Sequence, residues 1–123
     1  MNAPRSTRPF GQQGERLAVS YLERQGYTII ATNWRCQYGE IDIIARQNHM
    51  LVFVEVRARH AERTEAAFES IGPHKQQRLA RAAQGYLASH HLEQAVWRVD
   101  VIAIAIPPSG EPIIEHAEDA LGW

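Results

Sequence analysis

Residues 39–59 read GEIDIIARQNHMLVFVEVRAR. Two apolar runs, IDIIA from Ile41 and MLVFVEV from Met50, flank a polar break at Gln47-Asn48-His49. Each run carries one acid, Asp42 and Glu55. A lone carboxylate buried among β-branched side chains costs several kcal/mol unless it is paired, hydrogen-bonded or metal-bound. A break this short predicts an antiparallel hairpin. Side chains alternate along a strand, so Phe53, Glu55 and Arg57 share a face, and so do Glu40, Asp42 and Ile44. A two-residue turn at Asn48-His49 pairs Gln47 with Met50. It also sets Ile44 opposite Phe53, Asp42 opposite Glu55 and Glu40 opposite Arg57. A four-residue loop gives the same register, whereas a three-residue loop puts Asp42 opposite Val54.

Directly opposed residues have Cβ atoms ~4.5–5.5 Å apart. Two carboxylates at that distance repel unless a proton or a cation lies between them. Mg²⁺ takes oxygen ligands and keeps places for water and substrate phosphate. Bound there, it would polarise a phosphoryl oxygen and lower the pKa of an attacking water. Arg57, on the face of Glu55, could bind phosphate in bidentate fashion and stabilise transition-state charge. It is no ready proton-transfer base, because arginine keeps its proton. A plainer reading has the two acids held by Arg57 or by backbone donors, as structural ion pairs are.

Around the hairpin the pattern is regular. Gly11 to Gln25 reads as a helix with Leu17, Ala18, Tyr21 and Leu22 on one stripe and Gly26 at its end. Glu15 lies along the edge of that stripe, where it could also serve the helix dipole. Tyr27–Trp34, Glu40–Arg46 and Leu51–Arg57 read as three strands. Residues 58–72 read as a loop with a helical turn around Glu65–Glu69. Pro73 suits a helix start. His74–His91 forms the second helix, with Leu79, Ala82, Ala83, Tyr86 and Leu87 on one face and Lys75 one turn before Leu79. Trp97–Ile106 is a strand apolar enough for the middle of a sheet. Ile113 and Ile114 suit a short edge strand before a frayed acidic end. The order α-β-β-β-α-β predicts an α/β sandwich around a mixed sheet. We divide the chain into a flexible arm (1–10), one domain (11–106) and an edge segment with an acidic tail (107–123).

Composition narrows the function classes. The 123 residues suit one domain, and 45% hydrophobic with 22% charged residues is ordinary for a globular protein. No apolar run reaches the ~18 residues of a membrane span, and the first residues lack a signal-peptide core, so a cytoplasmic location is the default expectation. Cys36 is the single cysteine, and no Cys/His spacing matches a zinc site. Net charge is −1. All 13 basic residues lie at or before Arg98, against ten acids in residues 1–106, so the body carries +3 and the tail −4. Such a body is compatible with a phosphate-rich partner. Arg59, His60 and Arg63 follow the hairpin, and Arg78 and Arg81 share a helix face. The arginines could track a phosphate backbone or form a solvated surface. Trp34 and Trp97 read as packing residues.

Glu15 in the first helix, Gly39-Glu40-Ile41-Asp42 and Val54-Glu55-Val56-Arg57 together resemble the PD-(D/E)XK nuclease pattern, in the spacing of the branch that contains archaeal Holliday-junction resolvases. More closely, GERLAVSYLERQGY (14–27), GEIDIIA (39–45), LVFVEVRAR (51–59), the helix from Lys75 and WRVDVIAI (97–104) resemble the YraN family of small bacterial proteins, over residues 11–106. The resemblance implies a restriction-endonuclease-like core and a divalent-metal-dependent endonuclease that hydrolyses phosphodiester bonds of DNA, branched or junction DNA included. It implies Mg²⁺ or Mn²⁺ held by Asp42, Glu55 and Glu15, with Arg57 in the catalytic set and Lys75 as a further candidate. Arg59, Arg63, Arg78 and Arg81 are the nucleic-acid-binding candidates. A twofold homodimer would suit a symmetric junction.

Two departures stand out. Arg57 occupies a position usually held by Lys in active nucleases, and Gly39-Glu40 stands where the motif has Pro. Arg57 then acts as an electrostatic stabiliser, or Lys75 substitutes for the missing lysine, or the domain binds nucleic acid or a protein without cutting. Lys75 as a solvated helix-start residue, and Glu40 as a surface partner of Arg57, are the plainer alternatives.

Overall fold

The computed structural model describes residues 8–121. The chain runs α1 (Arg8–Arg24), β1 (Thr28–Cys36), β2 (Gly39–Gln47), β3 (Met50–His60), α2 (Glu65–Glu69), α3 (Pro73–Ser89), β4 (Val96–Ile106) and β5 (Ile113–Ala117). The five strands form one sheet in the order β1-β2-β3-β4-β5. β1, β2 and β3 are successive antiparallel neighbours. β3 and β4 are parallel, and β4 and β5 antiparallel. A parallel pair needs a long crossover, and α2 with α3 supplies it.

Side-chain alternation divides the apolar residues of the sheet into two cores. Val52, Val54, Ile102 and Ile104 meet Ala18 and Leu22 of α1. Leu51, Phe53 and Val99 meet Leu79, Ala82, Ala83, Tyr86 and Leu87 of α3. The two helical stripes expected from spacing are therefore the two covering layers. Trp34 and Trp97 pack edge-on against Tyr86 and Phe53 respectively. No helix among the described residues is long and apolar enough to cross a membrane.

The hairpin has the two-residue turn. Gln47 pairs with Met50 and Ile44 with Phe53. Asn48 adopts a left-handed backbone, φ 55°, which asparagine tolerates better than most residues. The helical turn in the long connection falls on α2. α1 begins at Arg8, so residues 8–10 of the expected arm are helical, and the rest of that arm lies outside the described residues.

The acidic end is docked where fraying was expected. The backbone N–H of Ala120 donates to the carbonyl of Val99 at 2.7 Å, and that of Asp119 to Asp100 Oδ1 at 2.9 Å. The reason is Asp100, fully buried in β4. Arg98 reaches both of its oxygens, at 2.9 and 3.2 Å, and His116 Nε2 lies 2.7 Å from Oδ2. His116 Nδ1 in turn meets the Tyr21 hydroxyl, and Arg98 donates to the Tyr27 hydroxyl. Burial pushes the Asp100 carboxyl up, but the hydrogen bonds from His116, Arg98 and Asp119 outweigh it and hold the group below its ordinary value.

Candidate metal and catalytic site

The alternation of β2 slips at Asp42. Ile43 and Ala45 belong to the α1-side core, but Ile41 and Ile44 belong to the α3-side core. β1 slips beside it: Ala31 and Trp34, three residues apart, both pack on the α3 side. Between them Asn33 has a left-handed backbone, φ 54°. The paired residues run Thr32 with Ile43 and then Trp34 with Ile41, with Asn33 and Asp42 in between. The pairing register itself shifts between Ile29 and Ala31; at the left-handed Asn33 both strands stay in step, and Asn33 and Asp42 leave the regular pleat together without an inserted residue.

These side chains build an acidic cluster. Asn33 Nδ2 donates to Glu15 Oε2 and to Glu40 Oε2, both at 2.7 Å. Glu15 arrives from α1, which approaches the sheet closely at Gly14. A Cβ at that glycine would stand 3.1 Å from Ala58 Cβ. Glu15, Glu40 and Asp42 each offer a carboxylate oxygen within 4.8 Å of the others. Glu40 meets Arg35 at 3.6 Å as well as Asn33, in place of the Arg57 partner expected from the register.

The β2–β3 ladder runs from Gln47–Met50 to Ile43–Val54. Beyond it, the Asp42 side chain takes a backbone partner: Oδ2 accepts from the N–H of Val56 at 2.8 Å. Burial, then the negative charge of Glu55, push the Asp42 carboxyl up to about 8, against the opposing effect of the Val56 N–H. Asp42 and Glu55 are within hydrogen-bonding reach of one another, so one proton between them relieves the repulsion.

Glu55 is buried on β3. Its Oε2 lies 3.1 Å from Arg57 Nε and 3.5 Å from Lys75 Nζ. Its Oε1 is buried without a hydrogen-bond partner. A buried carboxylate oxygen with no hydrogen-bond partner calls for a proton or a cation. Beside it, Glu15, Glu40 and Asp42 offer carboxylate oxygens, the ligand type that hard divalent cations prefer. A cavity of about 330 Å³ on the α1 side opens onto Glu15, Asp42, Arg57 and Arg59.

Of the basic candidates, Arg59 is exposed and donates to the carbonyl of Ala58. Arg63 is exposed and paired with Glu65 at 2.8 Å. Arg78 Nε donates to the Tyr38 carbonyl at 3.4 Å, and the Arg81 guanidinium lies over the Tyr38 ring. Sequence reasoning missed Asn33. The available signal was an asparagine inside the strand IIATNW, since asparagine is depleted in strands and enriched in left-handed conformations.

Residues 14–104 match a family model described as "Uncharacterised protein family UPF0102". A UPF0102 protein of Chloroflexus aurantiacus is 52% identical over 120 residues, covering 97% of this chain and 98% of its own. A UPF0102 protein of Roseiflexus castenholzii is 45% identical over 86% of this chain and 87% of its own. One of Pseudarthrobacter chlorophenolicus is 40% identical over 92% and 86%. Among solved structures, Pyrococcus furiosus SfsA in complex with Ca²⁺ is similar with a TM-score of 0.44 and 18% identity over 91% of this chain, which spans 63% of that one.

Proposed function

We propose, for a chain that belongs to the UPF0102 (YraN) family, that it is a divalent-metal-dependent nuclease hydrolysing phosphodiester bonds of DNA, with branched DNA as its substrate. The observation that carries this reading is the state of Glu55. It is buried beside Asp42, with one oxygen facing two cations and the other without a partner. Asp42 and Glu55 would hold the metal, and Glu15 would join them directly or through water; the acids whose oxygens lie within 4.8 Å of one another are Glu15, Glu40 and Asp42, so Glu40 is a further candidate ligand. Mg²⁺ or Mn²⁺ supplies Lewis-acid polarisation and an acidified water when bound.

The chain's own residues do the rest. Asn33 holds Glu15 and Glu40 side by side before any cation arrives. Val56 fixes the Asp42 carboxylate. Arg57 and Lys75 place two positive charges at Glu55, where a scissile phosphate develops charge. Lys75 supplies the amine that the Arg57 position lacks: an ammonium can give up its proton and act as a base, whereas a guanidinium stays protonated. Lys75's place beside Glu55 favours a cutting enzyme over a module that only binds. Arg59, Arg63, Arg78 and Arg81 would carry the flanking phosphates.

Four-way-junction and linear DNA incubated with the purified protein and Mn²⁺ test this. Cleavage of the junction is expected, lost in Asp42→Ala and in Glu55→Gln. Absence of any cut by the wild type, or equal cutting by Asp42→Ala, overturns it.

A further inference from the structure

On the α3 side of the sheet lies a second cavity, of about 380 Å³, whose walls include Arg35, Tyr38, Glu40, Lys75 and Arg78. That is within the ~300–1,000 Å³ of small-ligand sites. Three of these side chains are cationic. The acid among them, Glu40, already accepts from Asn33 and faces Arg35 at 3.6 Å. The charge the cavity can still accommodate is therefore negative. It borders the candidate site, because Lys75 Nζ is 3.5 Å from Glu55 Oε2 and Glu40 belongs to the acidic cluster.

The β1–β2 turn forms one wall. Cys36 pairs with Gly39, so Gln37 and Tyr38 are the two-residue tip. Tyr38 is 38% exposed, a large ring left out of both cores. The Arg81 guanidinium lies 6.0 Å over the ring centroid, and Arg78 holds the Tyr38 carbonyl. Gly39 has φ 134°, and a Cβ there would approach the Arg78 guanidinium at 3.8 Å. Two arginines of α3 thus position an exposed ring at the mouth of an electropositive cavity, and neither packing nor the metal chemistry needs that ring.

We propose that this cavity receives one unpaired nucleotide of the substrate, its base stacked on Tyr38 and its phosphate held by Arg78, Arg35 and Lys75. The proposal rests on the nuclease reading of Asp42 and Glu55. A base inside a duplex has both faces covered by its neighbours; an extruded or single-stranded base has a face to offer an aromatic ring. The cavity therefore selects DNA that is unpaired beside the bond to be cut.

Fluorescence anisotropy with EDTA present, so that nothing is cleaved, tests the proposal. The probes are a blunt duplex and the same duplex with a single-stranded tail. Wild type is expected to bind the tailed DNA about tenfold more tightly, the scale of one base–aromatic stack. Tyr38→Ala abolishes that preference, and Tyr38→Phe, which keeps the ring, retains it. Equal affinity of the wild type for both DNAs, or an undiminished preference in Tyr38→Ala, overturns the proposal. Because this readout is binding, its failure leaves the cleavage test of Asp42 and Glu55 standing, and failure of that test leaves the tail preference measurable.

Discussion

Asp42 Oδ2 accepts a 2.8 Å hydrogen bond from the backbone N–H of Val56. The carboxylate takes a donor that a carbonyl of the neighbouring strand would satisfy in an unbroken ladder. The side chain is thereby fixed where the hairpin parts, next to Glu55. The first prediction follows from its charge.

The Asp42 carboxyl is pushed from 3.8 up to about 8 by burial and by Glu55. Between those values the folded metal-free protein holds a proton that the unfolded chain has released. Its contribution to stability is full below about pH 4 and is lost as pH rises through about 8. Melting curves in chelator are expected to show Tm falling across that window, and Asp42→Asn should flatten the slope. Mn²⁺ binds the deprotonated pair, so its stabilising effect should grow toward pH 8, reaching ~2.7 kcal/mol at 100 times the dissociation constant. A Tm indifferent to both pH and Mn²⁺ would remove the pair as a cation site.

Lys75 and Arg57 share one oxygen of Glu55, but they should not be equivalent. Removing a preorganised charge from a reacting centre typically costs ~10²–10³ in rate. Lys75→Met is expected to lower single-turnover cleavage of junction DNA by that order. Lys75→Arg, which keeps the charge without the amine that can act as a base, should fail to restore it. Full activity in Lys75→Arg would assign the residue a purely electrostatic role.

Asn33 combines a backbone role with a side-chain role, and two substitutions separate them. Asn33→Gly keeps the left-handed φ of 54° accessible but removes the donor to Glu15 and Glu40. Mn²⁺ affinity, read by calorimetric titration, is expected to fall ~10-fold, as when an outer-shell partner is lost. Asn33→Ala should add about 1 kcal/mol of destabilisation for the left-handed backbone, seen in urea melts. Unchanged Mn²⁺ affinity in Asn33→Gly would mean that the amide does not organise the acids.

At the other end of the α1-side core, Asp100→Ala would remove the buried partner of Arg98, which is largely buried against it and would keep Glu118 at 3.7 Å and the Tyr27 hydroxyl. Breaking such a pair costs ~3–5 kcal/mol, to be read as a lower urea midpoint. The double variant Asp100→Ala/Arg98→Met should recover part of the loss. The carboxyl is held below 3.8, so its contribution is present above that value and disappears as pH falls through the lower folded value. Acidification should therefore lower the wild-type urea midpoint below about pH 4, and the double variant, which lacks this carboxyl, should lose that part of the pH dependence.

The hairpin register, the two helical stripes and the position of α2 were legible because each follows from a period of 2.0 or 3.6 and from local turn chemistry. The slip at Asn33 and Asp42 was not. It accompanies one residue's left-handed backbone inside a run whose composition says strand, and it reassigns Glu40 from Arg57 to Asn33 and Arg35. Side-chain alternation alone put Asp42 and Ile44 on one face; the structure sends Ile44 to α3 and Asp42 toward Glu15. The docked tail was hidden for another reason: Asp100 and His116 meet across a loop, and no local period relates them.

The last strand has a bearing on handling the molecule. Residues 99–105 of β4 are all buried, and β5 covers the flank of β4 with five residues. β5 is short and carries the exposed acid Glu115, devices that discourage further strand addition at a sheet margin. Proteolytic clipping before Ile113 would uncover Val101–Ala105, an uncharged β-prone segment, and turn a folded molecule into a seed for aggregation.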